Sequence, residues 1–166
     1  ALQPQKSRQA EVGAKWRSAG SALALDVALF RVTVDDEIGV ATNAGGRQSF
    51  RNVGRTTRQG LEISAGAKVA AQWRTSVAFT YLDAKYKDGF LACAGIPCTT
   101  PSVPVAASNR IAGTQKGVAF AELAWTPIAR TEVGVEARKA RAFGTVVVAV
   151  AMRAGHAALS AAPAGA

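Results

Sequence analysis

Hydrophobic and polar residues alternate with a period of two along most of the chain. The clearest case is the segment 60–69, where every second residue is apolar and the residues between them are polar or glycine: Leu61, Ile63, Ala65, Ala67 and Val69 against Gly60, Glu62, Ser64, Gly66 and Lys68. Such alternation is typical of a β-strand with one apolar and one polar face. The pattern recurs at 10–17, 22–40, 73–81, 117–125 and 131–138, which predicts an all-β chain of about six long strands.

Two of these strands change phase part-way along. In the segment 22–40 the apolar series passes from Leu29 to Phe30, Val32 and Val34, and a similar change occurs near Leu82. A β-bulge would produce this change, and so would a strand that leaves an apolar slab and continues into water. About ten residues of alternation let a tilted strand cross a bilayer, but a half-buried strand of a soluble sandwich has the same pattern.

The three tryptophans favour the membrane interpretation. Trp16, Trp73 and Trp125 each lie beside a short connection and on the apolar face of their strand. Transmembrane β-barrels carry such aromatic girdles at the membrane interface, with short turns on the periplasmic side and longer loops outside. The sequence therefore predicts an antiparallel meander that forms a partial, unclosed transmembrane β-barrel in the outer membrane of a Gram-negative bacterium. The alternative is a soluble β-sandwich or an adhesin-like binding module.

The alternation also predicts which face meets the membrane lipid. The lipid-facing residues would be Val12, Ala14, Trp16, Leu61, Ile63, Ala65, Val77, Phe79, Ala121, Leu123, Val133 and Val135. The opposite, concave face would carry Glu11, Lys15, Glu62, Lys68, Arg74, Glu122, Glu136 and Arg138. Six or seven strands are fewer than the roughly eight of the smallest closed membrane barrels, so we expect an open sheet that aggregates in water.

The chain has 20 Lys and Arg against 11 Asp and Glu, a net charge of +9 that would suit an anionic partner. The cations are spread along the strands without a stacking platform or a basic recognition helix, so we expect no nucleic acid partner. No apolar run reaches the roughly 18 residues of a membrane helix. The single histidine, His156, has no nucleophile elbow or phosphate loop to accompany it, and we expect neither an enzyme nor a cofactor.

Two cysteines, Cys93 and Cys98, lie in a Gly-, Pro- and Thr-rich loop that runs from Asp88 to about Asn109. His156 is far from them in the sequence, so a zinc site would lack ligands and no metal is expected. A local disulfide that shapes the loop, formed in an oxidising compartment, is favoured over two reduced cysteines.

Four segments together carry motifs that one family shares. They are Glu11-x-Gly13-x-Lys15; Phe50-x-Asn52-x-Gly54 followed by Gly60-Leu61-Glu62; Thr80-Tyr81-x-Asp83-Ala84-x-Tyr86; and Asn109-Arg110-Ile111-x-Gly113. In this order they resemble the late barrel of TonB-dependent outer-membrane receptors, with Ser108 and Ala112 departing from the family's pattern. The resemblance spans roughly residues 5 to 138.

The resemblance implies a barrel of about 22 strands with an N-terminal plug, through which TonB drives the uptake of ferric siderophores or similar scarce ligands. We expect a fragment of such a receptor that lacks the plug. Residues 1–138 would be the late part of the barrel. Residues 139–166 would be an Ala-rich tail, in which 146–150 could form one more strand.

Four cations are candidates for ligand binding. Arg47, Arg51, Lys85 and Lys87 lie near the predicted outer ends of strands, where they would attract an anionic ferric chelate into an extracellular vestibule. The outward loops 42–48 and 88–109 would form part of that vestibule.

Overall fold

The computed structural model describes residues 1–129, 131–140 and 146–154. These residues form eleven strands, namely β1 (Lys6–Arg17), β2 (Leu23–Asp35), β3 (Ile38–Ala44), β4 (Arg47–Asn52), β5 (Thr56–Ala70), β6 (Trp73–Tyr86), β7 (Phe90–Ala92), β8 (Val103–Val105), β9 (Gly117–Ile128), β10 (Thr131–Ala140) and β11 (Val146–Ala154). The predicted tail at 139–166 therefore contributes the end of β10 and the strand β11, and residues 141–145 and 155–166 of it lie outside the described residues.

Seven of the strands form a single antiparallel sheet in the order β1-β2-β5-β6-β9-β10-β11. Within the described part of the chain β1 and β11 do not pair with each other, so the sheet is open. Two short hairpins, β3–β4 and β7–β8, are inserted between long strands. This architecture confirms the predicted all-β meander and partial barrel, and it is not the alternative β-sandwich. No helix in the described ranges is long and apolar enough to span a membrane.

The strand register confirms the predicted faces. Residues directly opposite each other in an antiparallel sheet point to the same side. One row of partners joins Trp16 to Leu25, Ala65, Val77 and Ala121 across five strands. The next row joins Ala14, Val27, Ile63, Phe79 and Ala119. The residues predicted to meet lipid therefore share one face, which we call the outer face, and the charged series lies on the other, inner face.

The phase change in β2 does not come from a bulge. The pairing of β2 with β5 continues without a register shift from Leu23 to Val34, so Phe30 and Val34 point to the inner face. The outer face at the same height carries Arg31 and Thr33 instead. The bulge hypothesis is thus wrong, and the strand continues beyond the apolar zone with the polarity of its two faces exchanged.

The predicted strand 22–40 is divided in two. β2 ends at Asp35, and Asp36 adopts a φ of 57°, which turns the chain away into β3. β3 and β4 form a hairpin that closes through a two-residue turn at Gly45 and Gly46. This hairpin and the loop 88–109, which contains β7 and β8, lie at the end of the sheet opposite the tryptophans. We call the two together the extracellular unit, after the side of the membrane on which the sequence analysis predicts them.

Candidate functional site

The lower edge of the outer face is marked by tryptophan. Trp73 and Trp125 are direct register partners, and their rings stack with centroids 5.7 Å apart. Trp16 lies in the same register row as Val77, and Val77 is four residues after Trp73 on β6. Trp16 is thus offset from Trp73 by four residues along the strand direction and by three strands across the sheet. With roughly 3.4 Å per residue and 4.8 Å between strands, this offset corresponds to a line inclined by about 43° to the rows. If the strands tilt by that angle, Trp16 and Trp73 lie at one level, and Trp125, one strand further along the row of Trp73, lies about 3 Å from it.

The upper edge of the outer face has the same inclination. The first charged or strongly polar residue above the apolar zone is Arg8 on β1, Arg31 on β2, Gln59 on β5, Asp83 on β6 and Lys139 on β10. From Arg8 on β1 to Lys139 on β10, five strand-to-strand steps away, this edge moves six residues toward the tryptophan end of the sheet. The corresponding angle is about 40°. Taken from Trp16 to Trp73 and from Arg8 to Lys139, the two edges have similar inclinations, within the roughly 35–45° tilt of membrane barrels. Arg31, Gln59 and Asp83 lie in one row, so the upper edge descends in steps.

The height of the apolar band follows from the same geometry. Eight residues separate Arg8 from Trp16, and ten separate Trp73 from Asp83. On strands tilted by about 42°, these lengths give a band roughly 20–25 Å tall, close to the apolar belt of outer-membrane barrels. Large apolar side chains within the band stand open to the surroundings, for example Val12, which is 68% exposed. The outer face is thus apolar and exposed over a height that matches the apolar belt of outer-membrane barrels.

The inner face is polar over the same height. Arg17 donates to Asp26 at 2.8 Å, and Arg74 pairs with Glu132 at 2.5 Å. A trough of about 510 Å³ runs along this face, and its lining includes Glu11, Lys15, Asp26, Glu62, Ser64 and Thr80. Ion pairs and hydroxyls on the concave side are what the lumen of a membrane barrel contains.

Glu37 anchors the hairpin of the extracellular unit to the sheet. Its carboxylate accepts two hydrogen bonds from the guanidinium of Arg58, at 3.0 and 3.1 Å, and one from the hydroxyl of Thr56 at 2.6 Å. Burial by itself would raise the pKa of Glu37, but these hydrogen bonds and the charge of Arg58 outweigh it and hold the pKa below its usual value. Sequence reasoning missed this cluster, although the acidic run 35–37 inside an apolar strand pattern was a signal that the strand ends there.

Two residues of the Phe50-x-Asn52-x-Gly54 motif shape the base of the hairpin. The amide of Asn52 donates to the carbonyl of Asp36 at 2.8 Å and so holds the turn that ends β2. Gly54 has a φ of 89°, and an added Cβ would lie 2.6 Å from a carboxylate oxygen of Asp88. That same oxygen accepts a hydrogen bond from the backbone N–H of Arg55 at 2.6 Å. A glycine at 54 thus lets the start of the loop 88–109 dock against the hairpin.

A second glycine makes room inside the sheet. Gly60 lies between the register partners Phe30 and Leu82 on the inner face. A Cβ at this position would lie 2.6 Å from the ring of Phe30 and would also meet the backbone carbonyl oxygen of Tyr81. The aromatic ring therefore occupies the space that a side chain at residue 60 would need, and this explains the glycine in the Gly60-Leu61-Glu62 segment.

The disulfide fastens the loop near the hairpin. Cys93 and Cys98 are bonded, and their Cα atoms are 5.9 Å apart, which a disulfide spans. Cys98 also exchanges two backbone hydrogen bonds with Asn43 of β3, at 2.7 and 2.8 Å. Between the hairpin and the loop lies a cavity of about 460 Å³, whose lining includes Ile38, Val40, Val53, Tyr86, Phe90 and Arg110. Among the described residues no cluster of His, Cys, Asp or Glu could hold a metal ion.

The four candidate cations fall into two groups. Arg47 is exposed next to the hairpin turn, and Lys87 is exposed just after β6. Arg51 instead donates to the carbonyl of Leu91 and lies 5.9 Å from the centroid of the Phe90 ring, so it connects the hairpin to the loop. Lys85 points to the outer face and pairs with Asp83 at 3.0 Å.

Comparison with known proteins identifies the family. A family model described as TonB dependent receptor-like, beta-barrel matches residues 1–144. The chain belongs to this family. Proteins of the TonB-dependent receptor family are outer-membrane receptors and transporters, and this confirms both the resemblance and the prediction that the chain is not an enzyme.

Several curated TonB-dependent receptors are similar to this chain. The probable TonB-dependent siderophore receptor PiuA of Acinetobacter baumannii is 26% identical over 61% of this chain and 13% of its own length. The catecholate siderophore receptor Fiu of Escherichia coli K12 is 31% identical over 53% of this chain and 11% of its own. The ferrioxamine B receptor of Salmonella typhimurium is 28% identical over 52% of this chain and 12% of its own. The chain thus spans about an eighth of these receptors.

A solved structure agrees with the fold. The crystal structure of the ferric-catecholate import receptor Fiu of E. coli K12, in its closed form, superposes with a TM-score of 0.56 at 23% identity. The match covers 90% of this TonB-dependent receptor chain and 21% of the solved chain. At this level of identity the likeness concerns the fold, and it supports a section of barrel wall.

Proposed function

We propose that the chain forms a late section of the wall of an outer-membrane, TonB-dependent receptor that takes up a ferric siderophore or a similar scarce ligand. The observation that carries the proposal is the apolar band of membrane height on the outer face, with the extracellular unit directly above it. The family assignment and the siderophore receptors among its relatives support the class of ligand. In the complete receptor, energy would come from TonB through a plug domain.

The orientation in the membrane follows from the connections. At the end of the sheet that carries the tryptophans the strands are joined by short turns, such as the one between Ala70 and Trp73. The hairpin and the loop 88–109 lie at the opposite end. Outer-membrane barrels place short turns in the periplasm and long loops outside the cell. The extracellular unit would therefore face the medium from which a ligand arrives.

Arg47 and Lys87 are the cations of the extracellular unit that we propose to attract the ligand. Both side chains are exposed, and within the described part of the chain neither has a carboxylate within 4.0 Å. Arg51 would act mainly by holding the loop in place, because its guanidinium already contacts Leu91 and Phe90. Lys85 would contribute only to the general positive potential, because it points away from the inner face.

The membrane part of the proposal is tested by refolding the chain into phosphatidylcholine vesicles and adding protease from outside. Insertion should protect β5 and β6 while the hairpin turn at Gly45 and Gly46 remains open to cleavage. Complete digestion of both strands in intact vesicles would remove the barrel-wall assignment for this chain.

The ligand part is tested in an intact receptor whose barrel carries these residues, with an anionic ferric catecholate as the probe. Arg47→Gln combined with Lys87→Gln should slow association by about tenfold at low ionic strength, and the difference should shrink as salt is added. Lys15→Gln combined with Lys68→Gln removes the same charge from the inner face and serves as the control. An equal effect of the two double variants would show that only net charge matters, and no effect would exclude Arg47 and Lys87 from ligand capture.

A further inference from the structure

The base of the loop 88–109 is held against the hairpin by Arg51. The guanidinium of this residue donates a hydrogen bond to the carbonyl of Leu91 in β7 and lies 5.9 Å from the centroid of the Phe90 ring. β7 in turn pairs with β8, so the two short strands form the base of the loop as one unit. Cys93 directly follows β7. Its backbone is therefore placed by contacts that do not involve its sulfur.

The tip of the loop, residues 93–102, has its own attachment to the hairpin. Cys98 is only 8% exposed and exchanges two backbone hydrogen bonds with Asn43 of β3, at 2.7 and 2.8 Å. The neighbouring residues 94–97 and 99–100 are exposed. Exposed segments of this kind have many conformations open to them, so by themselves they do little to keep Cys98 beside Asn43.

The disulfide connects the tip of the loop to its base. It joins Cys98 to Cys93 and so bypasses the exposed residues 94–97. A cross-link removes open conformations from the undocked tip, and for so small a ring this shifts the docking equilibrium by roughly 10- to 40-fold. Cys93 also borders the cavity of about 460 Å³ between the hairpin and the loop. The bond thus holds the tip at the edge of that cavity.

We propose that the bond between Cys93 and Cys98 is a latch that thiols in the external medium open, and that its reduction releases the tip and widens access to the cavity. The inference rests on the proposed function, because the extracellular position of the unit brings the bond within reach of such thiols. That position also places the cavity beside the ligand vestibule. The redox state of the medium thereby acts on the wall of the vestibule, while the base of the loop stays docked through Arg51.

The exchange of the disulfide proceeds in two steps. A thiolate attacks Sγ of Cys93, which is half-buried, in preference to Sγ of Cys98, which is buried. The bond to Cys98 breaks, its sulfur leaves as a thiolate and takes up a proton, and a mixed disulfide remains on Cys93. A second thiol attacks the mixed disulfide on the sulfur of the small thiol and releases Cys93 as a thiol. Two small thiols are thereby oxidised to one disulfide, and the two cysteines are reduced.

The test uses the full chain refolded in phosphatidylcholine vesicles, with mercaptoethanesulfonate added outside as a thiol whose charge keeps it out of the vesicle. Hydrogen exchange is measured at the backbone amides of Asn43 and Cys98, which donate the two hydrogen bonds between hairpin and tip. After reduction both amides should exchange roughly 10- to 40-fold faster. The amide of Ser102, which donates to the carbonyl of Ala92 in the base, should exchange as before.

The latch is overturned if the thiol does not reduce the bond in the inserted chain. It is equally overturned if the bond is reduced and the amides of Asn43 and Cys98 remain slow. Faster exchange at Ser102 as well would show that the whole loop opens, which contradicts a release confined to the tip.

Two variants separate the bond from the rest of the loop. Cys93→Ser with Cys98→Ser should exchange at the fast rate from the start and should not respond to the thiol; a response would mean that the reagent acts elsewhere and would overturn the latch. Arg51→Gln loosens the base and keeps the bond. Because the bond transmits the position of the base to the tip, Arg51→Gln should speed exchange at Asn43 in the oxidised chain and have little effect in the reduced chain. Equal effects in the two states would contradict this coupling.

Access to the cavity is measured at Tyr86, which lies in its lining. Labelling of this side chain by hydroxyl radicals, quantified by mass spectrometry, should be greater in the Cys93→Ser, Cys98→Ser variant than in the oxidised chain. Equal labelling would refute the claim that the latch controls the cavity.

Protease protection of β5 and β6 in the same vesicles reports on the proposed function separately. If these strands are digested, the barrel-wall assignment fails whatever the bond does. If they are protected and the tip stays closed after reduction, only the latch fails.

Discussion

Replacing Ile63 by arginine tests whether the outer face meets hydrocarbon. Ile63 lies on β5 in the row of Val27 and Phe79, between the tryptophan edge and the charged edge of the band. On strands tilted by about 42°, this position is within a few ångströms of the middle of the band. A charged residue on the lipid face of a membrane barrel costs roughly 2–4 kcal/mol at the midplane and about 0–1 kcal/mol near the interfaces.

The chain supplies two controls for the same substitution on the same strand. Val69→Arg places the charge at the lower edge, close to the level of Trp73, where the cost should be about 0–1 kcal/mol. Glu62→Arg places it one residue away from Ile63 but on the inner face, which already carries ion pairs such as Arg74 with Glu132. We therefore expect Ile63→Arg to lower the free energy of unfolding by about 2–3 kcal/mol more than Val69→Arg does, and Glu62→Arg to have little effect.

The assay is urea unfolding of the chain refolded in phosphatidylcholine vesicles, followed by tryptophan fluorescence. The midpoint of Ile63→Arg should fall by roughly 1 M or more, given a slope of about 1–3 kcal/mol per molar urea. The reasoning would be refuted if Ile63→Arg and Val69→Arg unfolded at the same urea concentration. If Glu62→Arg alone were destabilised, the assignment of the two faces would be reversed.

Three other changes test the packing of the inner face and of the extracellular unit. Glu37→Gln should lower the free energy of unfolding by roughly 1.5–3 kcal/mol, because it removes charge-assisted hydrogen bonds, and hydrogen exchange should rise in the hairpin. Because the pKa of Glu37 is lowered in the folded state, its contribution is complete at neutral pH and is lost as pH falls below about 4.5, the ordinary value; Glu37→Gln should abolish that part of the acid sensitivity. Gly60→Ala should lower the free energy of unfolding by about 1–3 kcal/mol, because the added Cβ overpacks against Phe30 and Tyr81. The control Gly66→Ala should be tolerated, because the nearest atom is 3.8 Å from the added Cβ. Equal unfolding midpoints of the two variants in denaturant would contradict the close contact at Gly60. Cys93→Ser with Cys98→Ser should cost less than about 3 kcal/mol, because the closed ring is small, and should raise hydrogen exchange in the loop; unchanged exchange would show that the bond does not shape it.

The side of the sheet to which each side chain points was predictable from the sequence, because it depends on a single local rule. In a strand the side chains alternate, so Leu61 and Ile63 had to share a face whatever their neighbours were. The family motifs extended this to the fold, since the Asn52 and Gly54 segment precedes the strand in the same order as in the receptors. The pairing register of neighbouring strands could not be predicted in this way. It depends on which residue of one strand lies opposite which residue of the next, and the alternation within each strand does not determine this.

The end of β2 was missed because its cause is not local. The acidic run 35–37 marks the place in the sequence, but the contact that holds the turn after Asp36 is made by Glu37 with Arg58, which is 21 residues away. β7 and β8, with three residues each, have too few alternating positions to predict a strand. Arg51 was chosen as a ligand-binding residue from its place near a strand end. Its contact with the loop depends on Phe90 and Leu91, which are 39 and 40 residues later in the chain.

The distribution of buried residues separates the sheet into two parts that are stabilised differently. Among the described residues the buried apolar side chains are Val34, Val53, Ala84, Cys98 and Ala124, and all except Ala124 lie in or beside the extracellular unit. There the exchange of polarity along β2 and β6 turns Val34 and Ala84 inward, where the hairpin and the loop cover them. This upper part therefore has a small hydrophobic core of its own and gains from burial in water. The band below has almost no buried side chain among the described residues. In the proposed membrane orientation lipid covers its outer face, so we expect the lower half to need a membrane to fold without aggregating, whereas the extracellular unit holds its shape through its own contacts.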